Sequence, residues 1–326
     1  MSAMPNLAVH AWHGDTMGTT WSVRAVLPTA LALREVQEGV QRTLDRIDGQ
    51  MSTYKPQSAL SRFNQAPART WHVLPSECSE VVTHALQLAR DSGGAYDPTV
   101  GPLVNLWGFG PDATRQAPPD AQDVRAARER IGWMRLQQDL ATHSLYQPGG
   151  AYLDLSSIAK GYAVDQVGRW LDGLGVTAWL VEVGGELKGK GRKPDGSPWR
   201  IGIERPGAVQ DTVSRLDQLS QVLALSGRAI ATSGNYRRHF EADGQHYSHH
   251  IDPRSGAPVP HRVASVSVLA EQAMHADPLG TLMTVLGPDE GLAYARERGL
   301  AVMFIVHGTR GLEERLSPAF LDALAE

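Results

Sequence analysis

The chain has 326 residues, of which 42% are hydrophobic and 20% charged, a balance that excludes an intrinsically disordered chain and a collagen-like repeat. Basic side chains number 31 and acidic ones 35, and the resulting net charge of −4 argues against a nucleic-acid backbone as the main partner. The single cysteine, Cys78, excludes an internal disulfide and any multi-cysteine metal site, and no apolar run approaches the roughly 18 residues of a membrane span.

The N-terminal segment MSAMPNLAVHAWHGD lacks the basic start, apolar centre and cleavage site of a secretory signal, and it has no cysteine for a lipid anchor. It reads as the start of a cytoplasmic protein, or of a periplasmic one if a leader has been trimmed. The first strand is expected over TMGTTWSVRAVL, where Trp21, Val23 and Ala25 alternate with Thr20, Ser22 and Arg24. After Pro28, the residues Leu33, Val36, Val40, Leu44, Ile47 and Met51 recur at spacings of three and four, the stripe of an amphipathic helix. A second helix is expected from Ser76, carrying Val81, Ala85, Leu88 and Ala89 up to a stop at Ser92-Gly93-Gly94, with Cys78 as a small apolar filler near its start. The segment GGAYDPTVGPLVNLWGFGP holds too many glycines and prolines for a regular element and reads as an ordered loop.

A short helix with Val124, Ala127 and Ile131 follows, then a hairpin through Leu145 and Tyr146 and a turn at Gln147-Pro148-Gly149-Gly150. AYLDLSS reads as a strand, ended by Asp154, that runs into a helix with Val164, Val167, Leu171 and Leu174 on its apolar face. Beyond it AWLVEVGG, WRIGIERP, QVLALSGRAIATSG, HRVASVSVLA and AVMFIVHG are short, alternating or branched, and bounded by turn residues. Two helices interrupt them, one after Asp277 and one near GLAYARERG. Most strands arrive without crossover helices, so the fold class is α+β with a largely antiparallel sheet.

Four segments could carry chemistry. GELKGKG approaches a phosphate-binding loop but has Gly191 where a Ser or Thr would bind magnesium, and it lies between strands, so a glycine hairpin is the better reading. In DLSSIAKGYAVD, Ser156 or Ser157 can cap a helix with Lys160 in its first turn; a phosphate site and a plainly capped helix both fit. In HADPLGT, Asp277 precedes Pro278 as an N-cap would, while Thr281, four residues on, shares its face, as hard oxygen ligands for magnesium require; capping alone also explains Asp277, and a threonine in a helix needs no metal. Histidines 239, 246, 249 and 250 lack the helical spacing of a zinc site. A histidine three residues before an aspartate could instead serve as an acid or base, and an ordinary hairpin around Asp243-Gly244 also fits.

In order, TMGTTWSV, MSTYKPQSALSRFN, GGAYDPTVGPLVNLWGFG, DLSSIAKGYAVD, VEVGGELKGKG, ATSGNYRRHF, SHHIDPRSG and HADPLGTLMTVLG resemble the FAD:protein FMN transferase family, also called ApbE, over roughly residues 16 to 287. The resemblance implies a T-fold-like α+β architecture with a duplicated core. It further implies an extension over residues 1–15 and one transferase domain of two packed lobes over 16–326. The implied activity is magnesium-dependent transfer of FMN from FAD to a Ser or Thr hydroxyl of an acceptor flavoprotein, with AMP released. By the same resemblance Met17, Tyr54, Ala95, Tyr96, Asp97, Asp154, Lys160, His250 and Ile251 contact FAD. The Ser157 carbonyl, Asp277 and Thr281 hold magnesium, and His249 with Asp252 assists deprotonation of the acceptor. An FAD pyrophosphatase and a non-catalytic FAD-binding protein remain the alternatives.

Overall fold

The computed structural model describes residues 8–28, 31–111, 117–206, 219–234, 239–242, 245–260, 262–309 and 311–325. Val9–Thr16 (β1) and Thr19–Val26 (β2) form a hairpin in which Thr16 pairs with Thr19. Its two-residue turn is Met17 and Gly18, at φ of 49° and 69°, the left-handed pair that matches the twist of the flanking strands. The first strand was expected to begin at Thr16; it begins at Thr19, and Thr16 closes the strand before it. The alternation of apolar residues could not show this, because a methionine at positive φ carries no turn signal of its own.

Leu33–Met51 (α1), Ala59–Asn64 (α2), Thr70–Val73 (β3), Ser76–Asp91 (α3), Gly101–Leu106 (α4), Ala121–Arg128 (α5), Gln138–Asp139 (β4) and Ser144–Gln147 (β5) follow. Helix α1 buries Val36, Val40, Leu44, Ile47 and Met51 along the expected stripe, and α3 ends at Ser92 as its glycines require. The glycine- and proline-rich segment after α3 is not loop throughout. Helix α4 forms inside it, with Pro102 in the first turn, where a missing N–H costs nothing. The expected strand ending at Asp154 does not form: residues 151–155 are irregular, and the Asp154 N–H donates to the Pro98 carbonyl (2.8 Å) rather than to a strand partner.

Ala159–Gly173 (α6), Ala178–Val183 (β6), Glu186–Lys190 (β7), Trp199–Glu204 (β8), Leu219–Leu225 (β9), Ala229–Gly234 (β10), His239–Ala242 (β11), Gln245–Ser248 (β12), Ile251–Asp252 (β13), Ala257–Pro258 (β14) and Val263–Ala270 (β15) carry the chain onward. Ala273–Arg298 (α7), Ala301–Gly308 (β16), Gly311–Leu316 (β17) and Pro318–Ala325 (α8) complete it. The main sheet is antiparallel in every pairing, in the order β1-β2-β6-β7-β10-β15-β16-β17. Its central strands are apolar on both faces because both are covered. On β16, Val302, Phe304 and Val306 enter the core under α1, α6 and α7, while Met303 and Ile305 face a second cluster with Phe320 of α8 and Leu223 and Leu225 of β9. A third cluster, around Leu103, Trp107 and Ile251, seats α4 and α5.

Two details of α7 correct the sequence reading. The helix starts at Ala273 with Gln272 before it, so Asp277 is not an N-cap but lies inside the helix, and Pro278 is an interior proline. The early turn is held from outside: buried Asp165 of α6 accepts the Met274 N–H (2.9 Å). The expected separation into two helices appears as a break at Gly287 (φ 74°, ψ 176°), with Pro288 restarting the second part. Among the described residues no helix is long and apolar enough to cross a membrane.

Candidate functional site

A cleft of about 740 Å³ opens where the β1–β2 turn, the loop after α1, the loop after α3, the start of α6, the β6–β7 turn, the end of β10 and α7 converge. That volume lies in the range of small-molecule sites. Every candidate residue except Asp252 lines it: Met17, Tyr54, Ala95, Tyr96, Asp97, Asp154, Ser157, Lys160, His249, His250, Ile251, Asp277 and Thr281. The Asp252 carboxylate instead receives the backbone N–H and the guanidinium of Arg254 (2.8 and 3.1 Å), an arrangement that builds the turn after β13.

The floor of the cleft is made by the close approach of α6 to α7. Gly161 lies so near that a Cβ there would fall 2.2 Å from the Ala273 carbonyl oxygen and 2.9 Å from Asp277 Cβ. Its N–H donates to Asp277 Oδ2 (2.9 Å), so the start of α6 both approaches and orients the buried carboxylate. The helix has no side-chain cap: neither Ser156 nor Ser157 takes that role, and Ile158 occupies the N-cap position. The serines serve elsewhere, the Ser157 hydroxyl lying 3.1 Å from the Tyr96 hydroxyl and the Ser156 N–H donating to Asp154 Oδ1.

Lys160 joins two acids. Its Nζ is 2.8 Å from Glu186 Oε1 and 3.5 Å from Asp277 Oδ1. Burial works to lower the Lys160 ammonium, yet the Asp277 and Glu186 charges hold it above the usual lysine range. Burial raises the Glu186 carboxyl above the usual carboxylate range, while the charge of Lys160, 2.8 Å away, opposes the rise and that of Asp277 adds to it. The second oxygen of Glu186, Oε2, is buried and finds no hydrogen-bond partner. Glu186 enters the cleft because the β6–β7 turn closes through Gly184 and Gly185, both at positive φ. A Cβ on Gly184 would meet Thr19 Cγ2 at 2.9 Å and Lys160 Cδ at 3.0 Å, so only glycine lets this turn lie over the lysine stem.

On the opposite wall, burial raises the Tyr96 phenol above its ordinary range, and the hydroxyl stays protonated and able to donate. Burial also raises the Asp97 carboxyl, while its oxygens accept from the Thr99 N–H and hydroxyl and from the Trp133 N–H (2.8, 2.7 and 3.1 Å). Asp97 therefore sets the shape of the loop. The His249 ring stands 4.0 Å from that of buried His250 and edge-on to Phe109 at 6.3 Å. Tyr54 is 61% exposed at the mouth.

For a cation, the expected donor residues Asp277, Thr281 one turn along α7, and Ser157 all line this cleft, and together they would offer a carboxylate, a hydroxyl and a backbone carbonyl. This is a hard oxygen set, and two buried carboxylates against one ammonium leave one negative charge uncompensated; both properties suit magnesium. Among the described residues no group of three or more His, Cys, Asp or Glu side chains is disposed to cage a metal, and the side chains of His239 and His246 lie outside the described residues. The sequence reading missed Glu186 as well as Thr232, Ser233 and Gly234 at the end of β10, all of which line the cleft. GELKGKG was read for its glycines alone, although an acid directly after a glycine turn, at the start of an inner strand, was the available signal.

Comparison with known proteins gives a consistent result. The ApbE family profile matches residues 17–304. The FAD:protein FMN transferase of Vibrio cholerae serotype O1 is 40% identical over 314 residues, covering 96% of this chain and 92% of that protein. The one from Escherichia coli K12 is 37% identical over 316 residues, covering 95% and 88%. Among solved structures, the apo flavinyl transferase ApbE of Pseudomonas stutzeri is 41% identical with a TM-score of 0.89, covering 98% of each chain. The ApbE protein of Thermotoga maritima, at 27% identity, still superposes with a TM-score of 0.86 over 98% of this chain and 100% of that one.

Proposed function

The chain belongs to the ApbE family, and from that premise we propose that it transfers the FMN half of FAD to a Ser or Thr hydroxyl of an acceptor flavoprotein and releases AMP. The observation that carries this reading is the convergence of Lys160, Glu186 and Asp277 at the floor of one cleft large enough for a dinucleotide. With a divalent cation on it, such a floor matches the pyrophosphate of FAD. In the reaction the acceptor oxygen forms a bond to the FMN-side phosphorus, the bond to the bridging oxygen breaks, AMP departs, and the hydroxyl proton must go to a base.

Asp277, Thr281 and the Ser157 carbonyl would hold magnesium, which when bound supplies neutralisation of the negative charge that builds on the phosphate oxygens. Lys160 presents its ammonium to the same region from the first turn of α6, where helix N–H groups add positive potential. The Tyr96 hydroxyl, 3.1 Å from the Ser157 hydroxyl and kept protonated by burial, would be available to donate to a phosphate oxygen. His249, which lines the cleft with its ring edge-on to Phe109, would take the acceptor proton on its imidazole. Asp252 acts at one remove, holding the turn that follows His249 rather than touching substrate. Met17, at the β1–β2 turn, and Ala95 line the cleft and would form its apolar wall at the flavin end.

The test is incubation of the protein with FAD, magnesium and an acceptor domain bearing an exposed threonine, with the acceptor's mass and the AMP formed both measured. An FMN adduct matched by AMP and lost with chelator supports the proposal. AMP without adduct points to a pyrophosphatase, and tight FAD binding without either product points to a binding protein. Asp277→Ala is expected to abolish turnover; normal activity with normal magnesium dependence would refute its assignment.

A further inference from the structure

The three charged groups of the floor come from three elements: Lys160 from α6, Glu186 from β7 and Asp277 from α7. The ammonium sits at the end of a flexible four-carbon stem, so it can pass between the two acids by side-chain rotation without backbone movement. It lies nearer Glu186 (2.8 Å) than Asp277 (3.5 Å). Asp277 has already committed Oδ2 to the Gly161 N–H, which leaves Oδ1, the oxygen facing the lysine, as the one to offer a cation. An ammonium that closed fully on Oδ1 would compete with that cation for the same atom.

Glu186 has no evident reason to be buried apart from the lysine. Its side chain is 5% exposed, Oε1 meets Lys160, and Oε2 has no hydrogen-bond partner. A carboxylate placed for packing or strand pairing would have both oxygens satisfied or be replaced by an apolar residue of the same size. We infer that Glu186 is a positioning residue that draws the Lys160 ammonium off Asp277 and so leaves Asp277 Oδ1 open to a divalent cation. The inference rests on the proposed role of Asp277 as a metal ligand. Its consequence is that metal affinity depends on an acid that does not itself contact the metal.

The experiment is titration of Mn²⁺ into the full-length, FAD-free protein, followed by electron paramagnetic resonance of the free ion. It uses wild type, Glu186→Gln, Lys160→Met, the double variant and Asp277→Ala, each first confirmed folded by its thermal transition. Glu186→Gln is expected to weaken Mn²⁺ binding by about tenfold or more, because the released ammonium moves onto Asp277. In the Lys160→Met background the same change is expected to have little effect, since there is no ammonium left to hold; such coupling is what a double-mutant cycle isolates. Glu186→Asp, which keeps the charge on a shorter stem, should fall between and serves if the glutamine variant does not fold. Wild-type affinity in Glu186→Gln, or an equal loss with and without Lys160, overturns the inference while Asp277→Ala still abolishes binding. Unchanged binding in Asp277→Ala overturns the metal assignment itself.

Discussion

Replacing Gly161 by alanine tests whether the α6–α7 contact sets the site. The new methyl would lie 2.2 Å from the Ala273 carbonyl oxygen, 2.6 Å from its carbon and 2.9 Å from Asp277 Cβ, so its closest approach is roughly 1 Å inside ordinary van der Waals contact. The nearest obstacle is backbone, which no rotamer change can clear, and the two helices must part. Overpacking of this kind costs about 1–3 kcal/mol. The parting also stretches the 2.9 Å bond from the Gly161 N–H to Asp277 Oδ2, a hydrogen bond to a charged group worth about 1.5–3 kcal/mol. Less the roughly 0.5–1 kcal/mol that alanine gains over glycine in a helix, the expected loss is about 2–5 kcal/mol, a large part of a typical folding stability of about 5–15 kcal/mol. Because a displacement near 1 Å misplaces catalytic groups, FMN transfer by the folded variant should fall by about a hundredfold. Urea unfolding followed by near-ultraviolet circular dichroism reads the stability, and initial rates of adduct formation read the chemistry. Gly49→Ala is the control: exposed in α1 with open space around it, it should gain about 0.5–1 kcal/mol and leave turnover unchanged. A Gly161→Ala protein within about 1 kcal/mol of wild type and fully active would refute the reasoning.

Other outcomes follow from the same structure. Burial raises the Glu186 carboxyl above the usual carboxylate value, against the pull of Lys160, so from the ordinary carboxylate range upward, until Glu186 itself ionises, the native state keeps a proton that the unfolded chain has lost. Metal-free stability should accordingly fall as pH rises through that window and level off above it, and Glu186→Gln should flatten the profile; a wild-type profile already flat there would contradict the assignment. Cys78 is fully buried and burial pushes its thiol up to about 12, so thiol reagents at pH 8 should label the native protein negligibly and the urea-unfolded protein completely, as mass spectrometry can show. Asp165 binds Lys188 (2.7 Å) and the Met274 N–H (2.9 Å) from a buried position, so Asp165→Ala should cost about 3–5 kcal/mol in urea unfolding and loosen the start of α7. Ser58 caps α2 by accepting the Ser61 N–H (2.9 Å), and Ser58→Ala should cost about 1 kcal/mol without changing Mn²⁺ affinity.

The amino-acid pattern alone determined the elements whose periodicity reports a single buried face. Helix α1 lies where the three-and-four spacing of Val36 to Met51 puts it, α3 stops at its glycines, and the branched runs of β15 and β16 became inner strands. The order of motifs from Met17 to Thr281 carried the family, because a set of short segments in fixed order is far more specific than any one of them. Only the tertiary structure decided the details that depend on neighbours distant in sequence. Asp277 looks like an N-cap when read with Pro278, yet Asp165 holds the Met274 N–H from another helix and lets α7 begin a turn earlier. The strand expected to end at Asp154 is absent because that backbone finds the Pro98 carbonyl instead. Met17 turns a chain that alternation would carry straight on. Glu186 was invisible as a site residue for the same reason: its importance lies in a lysine 26 positions earlier and an aspartate 91 positions later, which α6 and α7 bring to the end of β7. Periodicity records which face of an element is buried; which charged groups meet there depends on how three elements pack, and no local spacing encodes that.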